Sequence, residues 1–73
     1  MTDRETIIAA IINKGGLMSR LAEMYVDDEA LSDHFILECF EQCQVEAIRS
    51  FWGKELVTMI YTYKIKHDSR LLI

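Results

Sequence analysis

The stretch "DDEALSDHFILECFEQC", residues 27–43, decides the predicted fold because it opens the longest helical pattern in the chain. It holds six acidic side chains and two cysteines among six apolar residues. Apolar residues then recur at steps of four and three, the period of one helix face; they are Ile36, Phe40, Cys43, Ala47 and Phe51. Asp27 or Asp28 fits the N-cap position, and Ser32–Asp33 is a second possible start. We therefore predict one helix from Asp28 to Trp52, ended by Gly53 and about 37 Å long at 1.5 Å per residue.

Two shorter helices are predicted before this stretch. Thr2 and Glu5 have capping-box spacing, and the isoleucines that follow make a broad apolar face that stops at Gly15–Gly16. Glycine adopts the left-handed turn after a helix at little steric cost. A second amphipathic helix is expected from about Leu17 to Val26.

The segment after Gly53 is ambiguous between helix and strand. Leu56, Met59, Ile60 and Tyr63 have helical spacing, whereas residues 61–66 alternate at period two and contain strand-forming residues. Because a single strand would have no partner in the chain, we favour a helix to about Lys66. The sequence thus predicts one all-α domain, residues 1–73, a small bundle of about four helices with a long third helix.

The apolar content predicts self-association. Residues of apolar type make up 51% of the chain, and a domain of this size buries only about 60% of the surface that its unfolded form exposes. The two short helices cannot cover a third helix of the predicted length. We expect a homodimer through the third helix and the C-terminal segment, with a core or dimer seam formed by Ile36, Phe40, Cys43 and Ala47.

The charges divide the chain into an acidic and a basic part. Residues 1–46 contain ten acidic and three basic side chains, a net charge of −7, and residues 47–73 carry +3. Asp27, Asp28 and Asp33 could meet a basic protein partner, although acidic side chains more often serve solubility alone. Aromatic and apolar side chains dominate interface energies, and those we expect to make outward contacts are Trp52, Tyr61, Tyr63, Leu71 and Leu72.

A helix-turn-helix DNA reader is the alternative interpretation. Two helices joined by a turn at Val26–Asp28 resemble that unit. However, the helix after the turn presents Asp28, Glu29 and Asp33, which DNA phosphates would repel. We therefore do not expect nucleic acid as a partner, and the few basic residues near the C-terminus are a weak footprint.

Neither catalysis nor a cofactor is expected from the remaining residues. Cys39 and Cys43 share a helix face, but zinc requires four ligands, so a site would need a second copy of the chain. Buried cysteines more often act as small apolar side chains, and an intermolecular disulfide is disfavoured in a reducing cell. The chain shows no nucleotide-binding glycine pattern, no signal peptide and no apolar run of membrane-spanning length. We expect a cytoplasmic protein without a metal.

These features together predict a non-enzymatic protein–protein interaction module: a regulator, adaptor or inhibitor. Compact acidic proteins of this size are frequent among phage and mobile-element accessory factors, which is an association by composition only. The alternative is a transcriptional regulator of the helix-turn-helix type.

The predicted helix phase leads to a first test. Replacing Phe40 by Asp should unfold or monomerise the protein, because a buried charge without a partner is very unfavourable. The sedimenting mass and the melting temperature measure the two effects. If both kept their wild-type values, Phe40 would be a surface residue and the predicted phase would be wrong.

Overall fold

The computed structural model describes residues 2–67, which form five helices and no strand. Their bounds are α1 Asp3–Lys14, α2 Gly16–Tyr25, α3 Glu29–Gln42, α4 Glu46–Trp52 and α5 Lys54–His67. The all-α class is confirmed. The count differs from the expected four helices because the predicted third helix is two helices.

Helix α1 begins and ends where the sequence predicts. The Thr2 hydroxyl accepts a hydrogen bond from the Glu5 amide at 3.2 Å, and the Glu5 carboxylate accepts one from the Thr2 amide. This reciprocal pair is the predicted capping box. Gly15 and Gly16 both have positive φ, 79° and 83°, and this left-handed backbone separates α1 from α2.

Helix α3 also begins at a predicted cap. The Asp28 carboxylate accepts a hydrogen bond from the amide of Leu31 at 2.9 Å. This bond satisfies one of the free amides that every helix start exposes. Asp28 is therefore the N-cap, and the alternative start at Ser32–Asp33 is wrong.

The prediction of an unbroken helix from Asp28 to Trp52 is wrong. Val45 is extended, with φ −88° and ψ 120°, and the amides of Gln44 and Val45 bond three residues back in a tightened turn. The largest extent of the described chain is 35 Å, shorter than the predicted helix. The break turns α4 against α5 and brings Trp52, which is 2% exposed, into the core.

The last described helix resolves the ambiguity after Gly53. Gly53 has φ 88° and ends α4 as predicted, and α5 then runs to His67. The helix interpretation is confirmed, and the period-two pattern of residues 61–66 does not form a strand. Tyr63 faces the core, while Ile65 is 59% exposed.

Helix α1 is the centre of the bundle. Three isoleucines, Ile7, Ile8 and Ile11, are at most 2% exposed, and α1 packs against α2, α3 and α5. The other helices and Cys43, the residue that follows α3, supply the rest of the core: Ala22, Phe35, Ile36, Cys39, Cys43, Trp52, Leu56, Ile60 and Tyr63. A single core therefore joins all five helices.

We expect Ile36→Ala to lower the free energy of unfolding by about 2–5 kcal/mol, because Ile36 is fully buried and its truncation leaves a cavity. Denaturant titration followed by circular dichroism measures the change. Leu31→Ala is the matched control on the same helix, since Leu31 is 48% exposed. Equal effects of the two substitutions would contradict the packing described here.

Candidate functional site

Several residues predicted for partner binding lie inside the protein. Trp52 and Tyr63 are 2% and 4% exposed, so the expectation that they make outward contacts is wrong. The physical reason is the same for both, since a large aromatic ring is the most effective filler of a small core. Leu71 and Leu72 lie outside the described residues.

The predicted seam is also divided by the structure. Ile36 and Cys43 are fully buried in the core of a single chain, which agrees with the core alternative of that prediction and leaves neither available as a seam between copies. Ala47 lies on α4, beyond the break, and is exposed. Phe40 is half-buried and keeps part of its side chain at the surface.

Phe40 of α3 and Tyr61 of α5 pack against each other in a partly exposed cluster between the two helices. Their ring centroids are 5.0 Å apart in a tilted arrangement, and the Lys64 ammonium lies 5.2 Å from the centroid of Phe40. Both geometries are favourable, the first between aromatic edges and faces and the second between a cation and a ring. Ile65 follows Tyr61 by one turn and is 59% exposed. We call Phe40, Tyr61, Lys64 and Ile65 the aromatic face.

Polar contacts hold the aromatic face in one arrangement. The Gln44 side-chain amide donates to the Tyr61 hydroxyl at 3.3 Å and to the carbonyl oxygen of Phe40 at 3.2 Å. Gln44 belongs to the turn after α3, so the helix break also positions a residue of the face. Two helices and a turn thus converge on a partly apolar surface that holds two aromatic rings, and aromatic residues are enriched at interfaces.

The three acidic residues predicted to meet a basic partner have different environments. Asp27 and Asp28 are exposed at the turn between α2 and α3. Asp33 is half-buried and accepts a hydrogen bond from the Tyr63 hydroxyl. Burial, followed by this bond to Asp33, raises the pKa of Tyr63 above its usual range. Asp33 therefore links α3 to α5, whereas Asp27 and Asp28 remain at the surface.

Sequence reasoning missed an apolar surface on α2. Leu17 and Met24 are 72% and 70% exposed, and near the same corner Val26 and Leu31 are 40% and 48% exposed. The sequence contained a signal of this surface, because apolar residues occur there in adjacent pairs: Met18 follows Leu17, and Tyr25 follows Met24. Neighbouring residues differ by about 100° around a helix. Apolar side chains on two sides of α2 could not all be buried in one core.

A polar groove of about 610 Å³ lies where α1 and α3 begin and α5 ends, with Asp3, Arg4, Asp33, Tyr63 and His67 in its lining. Its side chains make contacts between and within the helices. The Arg4 guanidinium donates to the Ser32 hydroxyl at 2.9 Å, and the Lys66 ammonium lies 3.2 Å from the Asp3 carboxylate. His67 stacks on Tyr63 with ring centroids 4.0 Å apart. These contacts explain the groove as a joint between three helices.

The cysteines are buried free thiols. Cys39 and Cys43 are both fully buried. Burial raises the pKa of Cys39 to about 12 and that of Cys43 to about 11. The neutral thiol therefore predominates at neutral pH, and it is a poor nucleophile in that form. Among residues 2–67, no three His, Cys, Asp or Glu side chains are grouped so that they could hold a metal ion.

The helix-turn-helix of the alternative interpretation is present as an order of elements, a helix, a turn and a second helix. Helix α2 ends at Tyr25 and α3 begins at Glu29, and the rings of Tyr25 and Phe35 pack with centroids 5.7 Å apart. The exposed start of α3 carries Asp28 and Glu29, and acidic side chains there oppose contact with phosphates.

Comparisons with protein-family models, with curated proteins and with solved structures gave no match to this chain. Within residues 2–67, no helix combines the length and the apolar character needed to cross a membrane.

We expect the native thiols to react with Ellman's reagent at neutral pH at least about 100-fold more slowly than those of the unfolded chain, because only the thiolate attacks. Absorbance of the released thiolate measures the rate with and without denaturant. Ser50→Cys places a thiol at an exposed position and should react rapidly in the native protein. Rapid native modification of Cys39 or Cys43 would contradict the burial described here.

Proposed function

We propose that this protein is a non-enzymatic interaction module that forms a homodimer through the aromatic face and acts by binding another protein. The observation that carries the proposal is that Phe40 and Tyr61, which are half-buried, lie together beside Ile65, which is 59% exposed, whereas Trp52, Phe35 and Tyr63 are buried. Phe51 on α4 is also exposed and lies outside this face. Aromatic residues at the centre of an interface contribute much of its binding energy.

The break between α3 and α4 removes the long helix from which the sequence predicted a dimer. The sequence predicted a dimer because one chain could not cover a third helix of the expected length; in the structure α3 packs against α1, α2 and α5, and α4 packs against α5. The aromatic face supplies a different reason, because it exposes apolar area on α3 and α5. These are the two segments from which the sequence predicted a dimer.

The charges around the aromatic face suit contact with a second copy. A two-fold interface places the same surface on both partners, so that surface must be self-complementary. Lys64 lies on α5 within the face, and Glu41 lies on the exposed side of α3 one residue beyond Phe40. An antiparallel pairing of two faces could bring the lysine of one copy near the glutamate of the other.

We expect Tyr61→Asp to raise the dimer dissociation constant by roughly 30-fold or more, since removal of an interface hot spot costs at least about 2 kcal/mol. Sedimentation velocity over a range of protein concentrations measures it. Thr62→Asp is the matched control, because Thr62 is the next residue on α5 and is exposed. Circular dichroism should show both variants folded.

Two results would count against the proposal. Wild-type protein that stays monomeric at every concentration would contradict the dimer. Affinity purification tests partner binding and compares three tagged proteins: wild type, Tyr61→Asp and Thr62→Asp. Proteins that wild type and Thr62→Asp both retain are the candidate partners. Binding of random duplex DNA at low salt, in the absence of any such protein, would favour the helix-turn-helix regulator instead.

A further inference from the structure

The break between α3 and α4 lacks the local signals that mark the other breaks between helices in residues 2–67. Glycines with positive φ stand between α1 and α2 and between α4 and α5, and the Asp28 side chain caps α3. Residues 43–45, which we call the hinge, are Cys, Gln and Val, and Val45 occupies the N-cap position of α4 without a side-chain hydrogen bond. Helices commonly end at a glycine and begin at a capping side chain. The local sequence therefore gives α3 no reason to stop at the hinge.

The backbone of the hinge is already close to that of a helix. Cys43 has right-handed helical angles, φ −66° and ψ −10°, and the Gln44 and Val45 amides donate to carbonyl oxygens three residues back at 3.1 and 3.0 Å. Val45 departs from helical geometry chiefly in ψ, which is 120° against about −42° in an α-helix. Hinges absorb a change of chain path in a few dihedral angles of this kind. A rotation centred on Val45 therefore converts the bend into continuous helix.

The apolar residues on the two sides of the hinge have the phase of one continuous helix. Ile36, Phe40, Cys43, Ala47 and Phe51 follow one another at steps of four and three, which places them on one face of an unbroken helix. The bend divides this face, since Ile36 and Cys43 are buried whereas Ala47 and Phe51 are exposed. Local spacing thus favours a straight chain and tertiary packing favours a bent one. Such a conflict is expected at functional or strained positions.

Helices α4 and α5 form a unit that is joined to the rest of the chain at the hinge. Helix α4 packs against α5, to which Gly53 connects it, and α5 packs against α1 and α3. We call this unit the α4–α5 arm. Its buried side chains Leu56, Ile60 and Tyr63 belong to the single core. A second copy of the chain carries the same arm, so it offers α1 and α3 the same contacts.

We propose that the hinge straightens and that two copies of the chain exchange their α4–α5 arms. In the exchanged dimer α3 and α4 form one helix over residues 29–52, about 36 Å long at 1.5 Å per residue, and each arm packs on α1 and α3 of the other copy. Exchange of an identical element is a low-cost route to a dimer, because the contacts of the bent chain are made again. The monomer keeps the break described above.

The two hinges form the new contact of the exchanged dimer. Each chain crosses from one body to the other at its hinge, so both hinges lie near the two-fold axis. Val45 is 49% exposed in the bent chain, and in the dimer its side chain lies near the hinge of the second copy. Burial of this valine favours the exchanged form. Because that form contains two chains, it gains on the monomer as the protein concentration rises.

The exchange goes beyond the proposed function, because it requires no contact between two aromatic faces. In the exchanged dimer Phe40 of one copy packs against Tyr61 of the other, so each body keeps its aromatic face. Tyr61→Asp therefore weakens this contact equally in the bent and in the exchanged form. It leaves the balance between the two forms unchanged.

Isotope-coded cross-linking of the ion pair between Asp3 and Lys66 tests the exchange. The pair joins α1 to the arm at 3.2 Å, and both side chains are more than half exposed, so a carbodiimide can couple them as an amide. Equal amounts of light and heavy-isotope chains are unfolded together, refolded at high concentration and separated by size. Mass spectrometry then identifies the coupled peptides. In the dimer we expect about half of the Asp3–Lys66 links to join a light peptide to a heavy one, since each arm comes from the other copy and pairing is random. The monomer should give like-label links alone.

Substitutions of Val45 provide a second test. Val45→Ala and Val45→Gly both remove the valine contact but differ in helix propensity, and each exchanged dimer contains two hinges. We expect the dissociation constant of the exchanged dimer to be roughly 30-fold lower for Val45→Ala than for Val45→Gly. Ser50→Ala and Ser50→Gly are the matched control pair, because Ser50 is exposed on α4 and helical in both forms. These two should give equal constants, and circular dichroism should show all four variants folded.

The outcomes separate the exchange from the aromatic-face dimer. Like-label links alone in the dimer fraction, or no dimer after refolding, would overturn the exchange, as would equal dissociation constants for Val45→Ala and Val45→Gly. A dimer through the aromatic face gives like-label links, responds to Tyr61→Asp and is insensitive to the residue at position 45. Mixed-label links in a dimer that tolerates Tyr61→Asp would support the exchange and contradict the aromatic face as the dimer contact.

Discussion

The packing of α1 against three other helices is the contact on which the rest of the structure depends. Three isoleucines in two turns of α1 are almost completely buried, and α2, α3 and α5 all pack on them. A chain of this size can cover only one compact core. The inner sides of α2, α3 and α5 therefore pack against α1. The outer sides of α2 and the α3–α5 edge then remain partly apolar. The aromatic face is a consequence of that allocation.

The break between α3 and α4 is the second determinant of the surface. It lets Trp52 fill the core from α4 and leaves Gln44 in a turn, where its side chain reaches Tyr61. A continuous helix would have directed Trp52 away from the body of the protein. The same local event therefore removes one aromatic residue from the surface and fixes another at it.

The helix boundaries were the most predictable part of the fold, because each depends on a local interaction. Thr2 with Glu5, Gly15 with Gly16, Asp28 and Gly53 all act within a few residues of their position in the sequence. The break at Val45 was not predictable from spacing. Steps of three and four residues persist on both sides of a short turn, and nothing between Cys43 and Glu46 resembles a glycine or proline stop. The turn accompanies the packing of α4 against α5, which spacing within one helix cannot predict.

The candidate surfaces were only partly predictable for a related reason. Residue type selected Tyr61, Asp27 and Asp28, which are half-buried or exposed, but it also selected Trp52 and Tyr63, which are buried, since apolar composition does not say which rings a core will bury. The exposure of Leu17 and Met24 depends on which side of α2 faces α1. That choice is made by packing between helices and is not encoded in the spacing of α2 alone.

The ion pair between Asp3 and Lys66 has a consequence for the order in which the helices are connected along the chain. It brings the first turn of α1 and the last turn of α5 within 3.2 Å of each other at these two side chains. A short peptide between the start of α1 and the end of α5 would therefore span little distance. New chain termini could be placed in the turn of residues 43–45, which lies outside the helices. We expect a chain relinked in this way to keep its helices, since neighbouring ends are the condition under which permuted chains fold. The order in which the helices are linked is thus separable from the way they pack.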